Sequence, residues 1–120
     1  MNIKKVLLVE DRPSLQYSFT YAIKSIFGEK TVVLVTGKLA EAEAFFSDNV
    51  GELDLILMDA TIEDGETTFR LVADIVKVFK RPIVAMSSNN DDRKKMMELG
   101  CTHDCDKGNI VDFLTNWKES

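Results

Sequence analysis

The stretch Asp54-Leu55-Ile56-Leu57-Met58-Asp59 decides the fold. Its four apolar residues stand in an unbroken row between two carboxylates. The row is too short for a helix and lacks the polar alternation of a strand with one wet face. It reads as a strand covered on both faces, as in a parallel sheet between layers of helices. Three further runs have the same character: Val6-Leu7-Leu8-Val9, Val32-Val33-Leu34-Val35 and Ile83-Val84-Ala85-Met86. Between Gly100 and Lys107 there is room for a short fifth strand, although residues 102–106 are polar.

Helical stripes fill the intervals. Leu15, Phe19, Ala22, Ile23 and Ile26 recur at helix spacing, with Pro13 and Ser14 suited to a first turn and Gly28 to an end. Leu39, Ala42, Phe45 and Phe46 predict a second helix. Phe69, Val72, Ala73, Val76 and Phe79 predict a third, stopped by Pro82. Ser88-Asn89-Asn90-Asp91-Asp92 is rich in capping residues and leads into a helix through Met96 and Leu99 that Gly100 ends. Ile110, Phe113, Leu114 and Trp117 stripe a fifth helix, for which Asn109 is the expected cap. Strand and helix thus alternate five times, which predicts an α/β fold with a parallel five-stranded sheet and right-handed crossovers.

Length and charge narrow the function. At 120 residues the chain is expected to be one domain, residues 1–120, folded around one core. Its hydrophobic fraction of 45% and charged fraction of 29% are those of a globular protein, which argues against disorder. With 15 basic and 20 acidic residues the net charge is -5, a poor match for nucleic acid or anionic lipid. Cys101 and Cys105 are too few for a disulfide framework, and no apolar run approaches the ~18 residues of a membrane span. A reduced, cytoplasmic location is the expectation.

In open parallel sheets, sites form beyond the carboxyl ends of the strands. Glu10 and Asp11 follow the first strand, Asp59 ends the third, Ser87 and Ser88 follow the fourth, and Lys107 lies near the end of the fifth. Two carboxylates 4 Å apart repel by about 4 kcal/mol at an effective dielectric of 20. Three together call for a proton or a cation, and a small hard cation held by carboxylates and a phosphate oxygen is typical of Mg²⁺. An ionised Asp beside such a metal can act as a nucleophile toward phosphorus. The lysine and the hydroxyl would then orient and neutralise phosphoryl oxygens.

With these residues in place, the chain resembles the receiver domain of two-component response regulators, including the chemotaxis type. Val6-Leu7-Leu8-Val9-Glu10-Asp11 resembles the family's first strand and acidic pair. The stretch ending in Asp59 resembles its phospho-acceptor strand, and Pro82-Ile83-Val84-Ala85-Met86-Ser87 resembles the strand ending in Thr or Ser. Residues 100–107 resemble its Gly-Ala…Lys segment. The resemblance implies a flavodoxin-like (βα)5 three-layer sandwich with strand order 2-1-3-4-5. It implies Asp59 as acceptor of a phosphoryl group from a histidine kinase or phosphotransfer protein. It implies Mg²⁺ held by Asp11 and Asp59, by Glu10 through water, and by the backbone carbonyl of Thr61. Ser87 and Lys107 would bind phosphoryl oxygens. The chain would catalyse its own phosphorylation and dephosphorylation without being a turnover enzyme on external substrates. Output would pass by contact to a downstream protein through residues 93–117, the fourth helix, fifth strand and fifth helix, from a monomer or weak dimer.

Three departures bear on this. The loop Asp59-Ala60-Thr61-Ile62-Glu63-Asp64-Gly65 reaches its Gly two residues early and lacks the family's Pro. Lys107 is followed by Gly108 instead of Pro, so the usual cis bond is not expected. Asp104 stands where the family often has the aromatic residue whose rotation reports phosphorylation. The altered loop and Asp104 support an alternative, a pseudo-receiver that binds protein without phosphate, and the intact five-residue pocket argues against it. A phosphohydrolase would want Asp-x-Asp where Thr61 stands, and a flavin carrier would want a phosphate loop where Glu10 and Asp11 repel one. Of the remaining features, Cys101, His103 and Cys105 would share one strand face as ordinary packing; zinc would need a fourth ligand. Asp64-Gly65 reads as a turn, Asp91 and Asp92 as helix-start charges, Met96 and Met97 as core and partner-facing filler, and Asp54 as structural.

Overall fold

The computed structural model describes residues 2–119. The elements run β1 (Lys5–Val9), α1 (Pro13–Phe27), β2 (Val32–Thr36), α2 (Leu39–Asn49), β3 (Leu55–Asp59), α3 (Phe69–Ile75), β4 (Ile83–Met86), α4 (Asn90–Leu99), β5 (His103–Cys105) and α5 (Ile110–Glu119). The strands form one parallel sheet in the order 2-1-3-4-5. This is the flavodoxin-like arrangement that the alternation and the resemblance imply.

Strand alternation sorts the core into two layers. Leu7, Val9, Ile56, Met58, Ile83 and Ala85 point to a layer closed by Phe46 of α2, Val72 and Ile75 of α3 and Met96 of α4. Val6, Leu8, Leu55, Leu57, Val84 and Met86 point the other way, onto Phe19 and Ile23 of α1 and Ile110 and Leu114 of α5. Every residue of β3 is buried, as its uninterrupted apolarity requires. Each such side chain contributes about 1.5–3 kcal/mol on leaving water. Asp54 fastens the N-terminal edge of the sheet: Oδ2 accepts from the Lys4 and Lys5 amides at 2.8 and 3.0 Å, and Oδ1 pairs with Arg81 at 2.7 Å. Its structural reading holds.

Four expectations need correction. The run 32–35 is not covered on both faces, because β2 is an edge strand; Val32 is exposed and Val33 to Val35 are half-buried. The third helix is shorter than its stripe. The α-helix ends at Ile75, and looser turns closed by Lys77 N–H to Asp74 and Val78 N–H to Ile75 carry the chain to Phe79. Phe79 is still buried, so the stripe marks packing beyond the regular helix. Asn109 is not the cap of α5. It lies in a 3-10 turn, residues 107–109, capped by Asp106, whose Oδ1 accepts from the Gly108 amide at 2.9 Å. Finally, Cys101 and Cys105 face opposite layers. β5 begins only at His103, and the Cys101 amide still bonds back to Met96 at the end of α4, so strand alternation does not reach it.

Candidate functional site

Register brings the acidic residues together. Val9 pairs with Met58, which sets Glu10 level with Asp59 at the ends of neighbouring strands. Asp59 in turn pairs with Met86, so Ser87 emerges one step beyond it, and Met86 pairs with Cys105, two residues before Lys107. Residues far apart in the chain therefore line one cleft of about 440 Å³ at the carboxyl edge. Asp11, Asp59, Thr61, Ser87 and Lys107 all border it. That volume is ample for a phosphoryl group.

The centre of the cleft is a lysine between two acids. Lys107 Nζ donates to Asp59 Oδ2 at 2.6 Å and lies 2.9 Å from Glu10 Oε1. Glu10 is fully buried; its Oε2 accepts from the Arg12 amide at 3.0 Å, while Oε1 has the ion-pair contact with Lys107 but no hydrogen bond of good geometry. Ligand oxygens of Glu10, Asp11 and Asp59 all fall within 4.8 Å of one another. Among the described residues this is the one group of His, Cys, Asp or Glu side chains close enough to hold an ion. Three carboxylates against one ammonium leave a formal charge of -2; Glu10 and Asp59 are buried, where charges are poorly screened, and Asp11 is more open to solvent.

Burial is the largest single influence on how the site titrates, and its charges modify the outcome. Burial pushes the Asp59 carboxyl above its ordinary value, and the Glu10 charge adds to the rise; the Lys107 hydrogen bond and charge and the Thr61 backbone amide pull the other way and are outweighed. For Lys107, burial alone would lower the ammonium, but its close contacts with the Asp59 and Glu10 carboxylates prevail and raise it. A divalent cation among these oxygens would reverse the penalty on Asp59. The all-oxygen ligand set suits a hard cation.

Several residues that the sequence did not single out hold this arrangement. Thr68 is buried, and its hydroxyl donates to the backbone carbonyl of Asp59 at 2.6 Å. Gln16 Nε2 donates to the Glu10 carbonyl at 2.6 Å. Gly37 passes so close to the β1–α1 loop that a Cβ there would stand 2.5 Å from Asp11 Cα. Arg93 donates to the Ser87 carbonyl at 2.6 Å and also reaches Asp104 and Asp106. No motif announces any of them, since each acts through backbone contacts that only the fold creates.

The chain was also compared with known proteins. Neither protein-family models nor curated proteins give a match. Solved structures do. The chemotaxis response regulator CheY4 of Vibrio cholerae superposes with a TM-score of 0.79 at 18% identity, over 98% of this chain and 98% of that one. The phosphorylated cyanobacterial phytochrome response regulator RcpA gives 0.77 at 20% identity, over 98% and 92%. The Mn²⁺-bound response regulator Rcp1 gives 0.72 at 20% identity, over 98% and 96%. The chain has the receiver-domain fold.

Within the receiver fold, the three departures now have a local structure. The loop after Asp59 folds back on itself: Thr61 bridges Thr67, the Ile62 amide donates to the Glu66 carbonyl at 2.8 Å, and Asp64 and Gly65 take positive φ, as the turn reading requires. All peptide bonds among the described residues, Lys107–Gly108 included, are trans. Asp104, at the receiver's usual aromatic position, is exposed and pairs with Arg93 at 3.5 Å. The aromatic rings lie elsewhere: His103 packs against Phe113 and Trp117 of α5.

Proposed function

We propose that residues 1–120 form a receiver domain of a two-component system whose Asp59 accepts a phosphoryl group with the help of Mg²⁺. The observation that carries this reading is the grouping of Glu10, Asp11 and Asp59 within 4.8 Å, facing Lys107. A purely structural cluster would have no reason to bury two carboxylates against a single lysine and set a third, more open one beside them at the sheet's carboxyl edge. The donor would be the phosphohistidine of a sensor kinase or phosphotransfer protein, or a small phosphodonor such as acetyl phosphate. A carboxylate oxygen of Asp59 attacks phosphorus, the bond from phosphorus to the donor nitrogen or oxygen breaks, and the leaving group keeps the electron pair.

Each residue has a part in that step. Lys107, already on Asp59 Oδ2, pairs with a phosphoryl oxygen as charge builds there. The Ser87 hydroxyl accepts from the Asn89 amide at 3.0 Å, so its proton is free to donate to a second phosphoryl oxygen. Asp11 and Asp59 would hold the metal directly, Glu10 through a water, and Thr61 by its backbone carbonyl. Bound Mg²⁺ would neutralise the carboxylates and the transferred group's oxygens. The signal leaves through residues 93–117 to a partner protein by contact.

Titration with beryllofluoride, a phosphoryl mimic, tests the reading by ¹⁹F NMR. Bound-fluoride signals that require both Mg²⁺ and Asp59 support it. Their absence would sink it and favour the pseudo-receiver, a binding module indifferent to phosphate.

A further inference from the structure

Arg93 occupies an unusual place on α4. Its side chain is only 15% exposed, although guanidinium groups ordinarily keep to solvent. The Nη1 donor reaches back 2.6 Å to the main-chain carbonyl of Ser87, at the mouth of the cleft. Nη2 holds Asn90 Oδ1 at 2.9 Å. Nε stands 3.5 Å from Asp104 of β5, and Nη1 also lies 3.8 Å from Asp106, the residue before Lys107. One planar group therefore ties the residue after β4 to the residues on both sides of Cys105.

We propose that Arg93 is the positioning residue for Ser87 and the link that carries occupancy of the cleft to β5 and α5. The inference rests on the reading that Ser87 binds a phosphoryl oxygen. A fixed fork with several donors holds two partners at set angles, which a lysine cannot do. The Ser87 carbonyl is already committed to Arg93, so displacement of Ser87 toward a bound anion pulls on the guanidinium and changes its distance to Asp104 and Asp106. Those two acids flank Cys105, whose carbonyl accepts from the Ser87 amide at 3.3 Å, so the same displacement is felt by β5 through the backbone. From β5 the path to α5 is short, because His103 packs edge-on against Phe113 and tilted against Trp117. An ion-pair clamp thus stands where receiver domains often place a rotating ring, and Asp104 is its far anchor.

Amide NMR of the full chain, with Mg²⁺ and beryllofluoride, tests this with three variants: Arg93→Ala, Arg93→Lys and Asp104→Asn. The ¹⁹F signal reports filling of the cleft, and the amides of His103, Cys105 and α5 report transmission. In wild type both are expected to respond. Asp104→Asn, an exposed change that leaves the Arg93–Ser87 bond in place, should keep the ¹⁹F signal and lose at least about half of the β5–α5 response, since a charge-assisted contact becomes a neutral one. Arg93→Ala should also weaken beryllofluoride binding by about tenfold, the usual effect of losing a hydrogen bond from a charged donor. Arg93→Lys should restore binding better than it restores transmission. If both Asp104→Asn and Arg93→Ala respond at β5 and α5 as wild type does, the inference is wrong. If wild type itself gives no bound ¹⁹F signal, the phosphoryl reading of the cleft has failed, and the role of Arg93 falls with it.

Discussion

Glu10 rests one carboxylate oxygen on the Arg12 amide and turns the other, Oε1, toward Lys107 and Asp59 with no well-formed hydrogen bond. The Lys107 ammonium at 2.9 Å meets that charge. Burial, with the Glu10 charge beside it, holds the Asp59 carboxyl above its ordinary value. The sign follows from proton counting. From pH 3.8 up to the raised folded value, the folded chain holds more protons than the unfolded one, so stability falls as pH rises, and the deficit persists at neutral pH. With chelator present, Asp59→Asn is therefore expected to melt higher than wild type at pH 7 and to lose this pH dependence. Calorimetry at several pH values checks it, and a lower melting point for the Asn variant at pH 7 would count against it. Gly37 supplies a second residue-scale prediction. A Cβ at 2.5 Å from Asp11 Cα forces the loop to shift, so Gly37→Ala should weaken divalent-cation binding by about tenfold without touching a carboxylate. Titration calorimetry with Mg²⁺ and circular dichroism together separate this effect from misfolding; unchanged affinity would contradict it.

The elements were legible to different degrees, for physical reasons. β1, β3 and β4 are interior strands buried throughout or nearly so, and their continuous Val, Ile and Leu runs say as much. The run of β2 looks the same, yet its position at the sheet edge is a property of topology that no local pattern carries. β5 is three residues long with a polar centre, so strand alternation could not be trusted to place Cys101. The acids of the cleft were visible because each follows an apolar run. Thr68, Gly37 and Arg93 were not, because each works on a backbone atom of a remote segment. α4 shows what this means for motion. Its mean hydropathy is low, and Met96 is its one fully buried residue. Its apolar anchorage is smaller than that of α1, which buries Phe19, Ala22 and Ile23, and Arg93 adds polar ties to Ser87, Asp104 and Asp106. Met96→Ala is expected to cost about 2–3 kcal/mol, lowering Tm by roughly 10 °C. Hydrogen exchange should then show faster opening in α4 than in α1; uniform acceleration across the chain would instead mean that Met96 anchors the whole core.

For the molecule as a whole, the charge of -5 divides unevenly. Glu10, Asp11 and Asp59 less Lys107 account for -2 of it within one cleft. A cation that binds only the folded form stabilises it by about 2.7 kcal/mol at one hundred times its dissociation constant. Mg²⁺ should therefore raise the melting temperature of wild type and leave Asp11→Asn nearly unmoved, while equal shifts in both proteins would point to general screening of surface charge. The opposite end of the sheet carries no such cluster among the described residues, and Asp54 there is already satisfied by two amides and Arg81. Charge excess, Ser87, Lys107 and the Arg93 end of α4 all meet at the carboxyl edge, which is where a transferred group would be felt. The most direct test of that account is intact-mass measurement after incubation with acetyl phosphate. Wild type with Mg²⁺ is predicted to gain the mass of one phosphoryl group, to lose it in alkali, and to gain nothing when chelator is present or when Asp59 is replaced by Asn. An unmodified wild type, or an Asp59→Asn chain that gains the same mass, would contradict it.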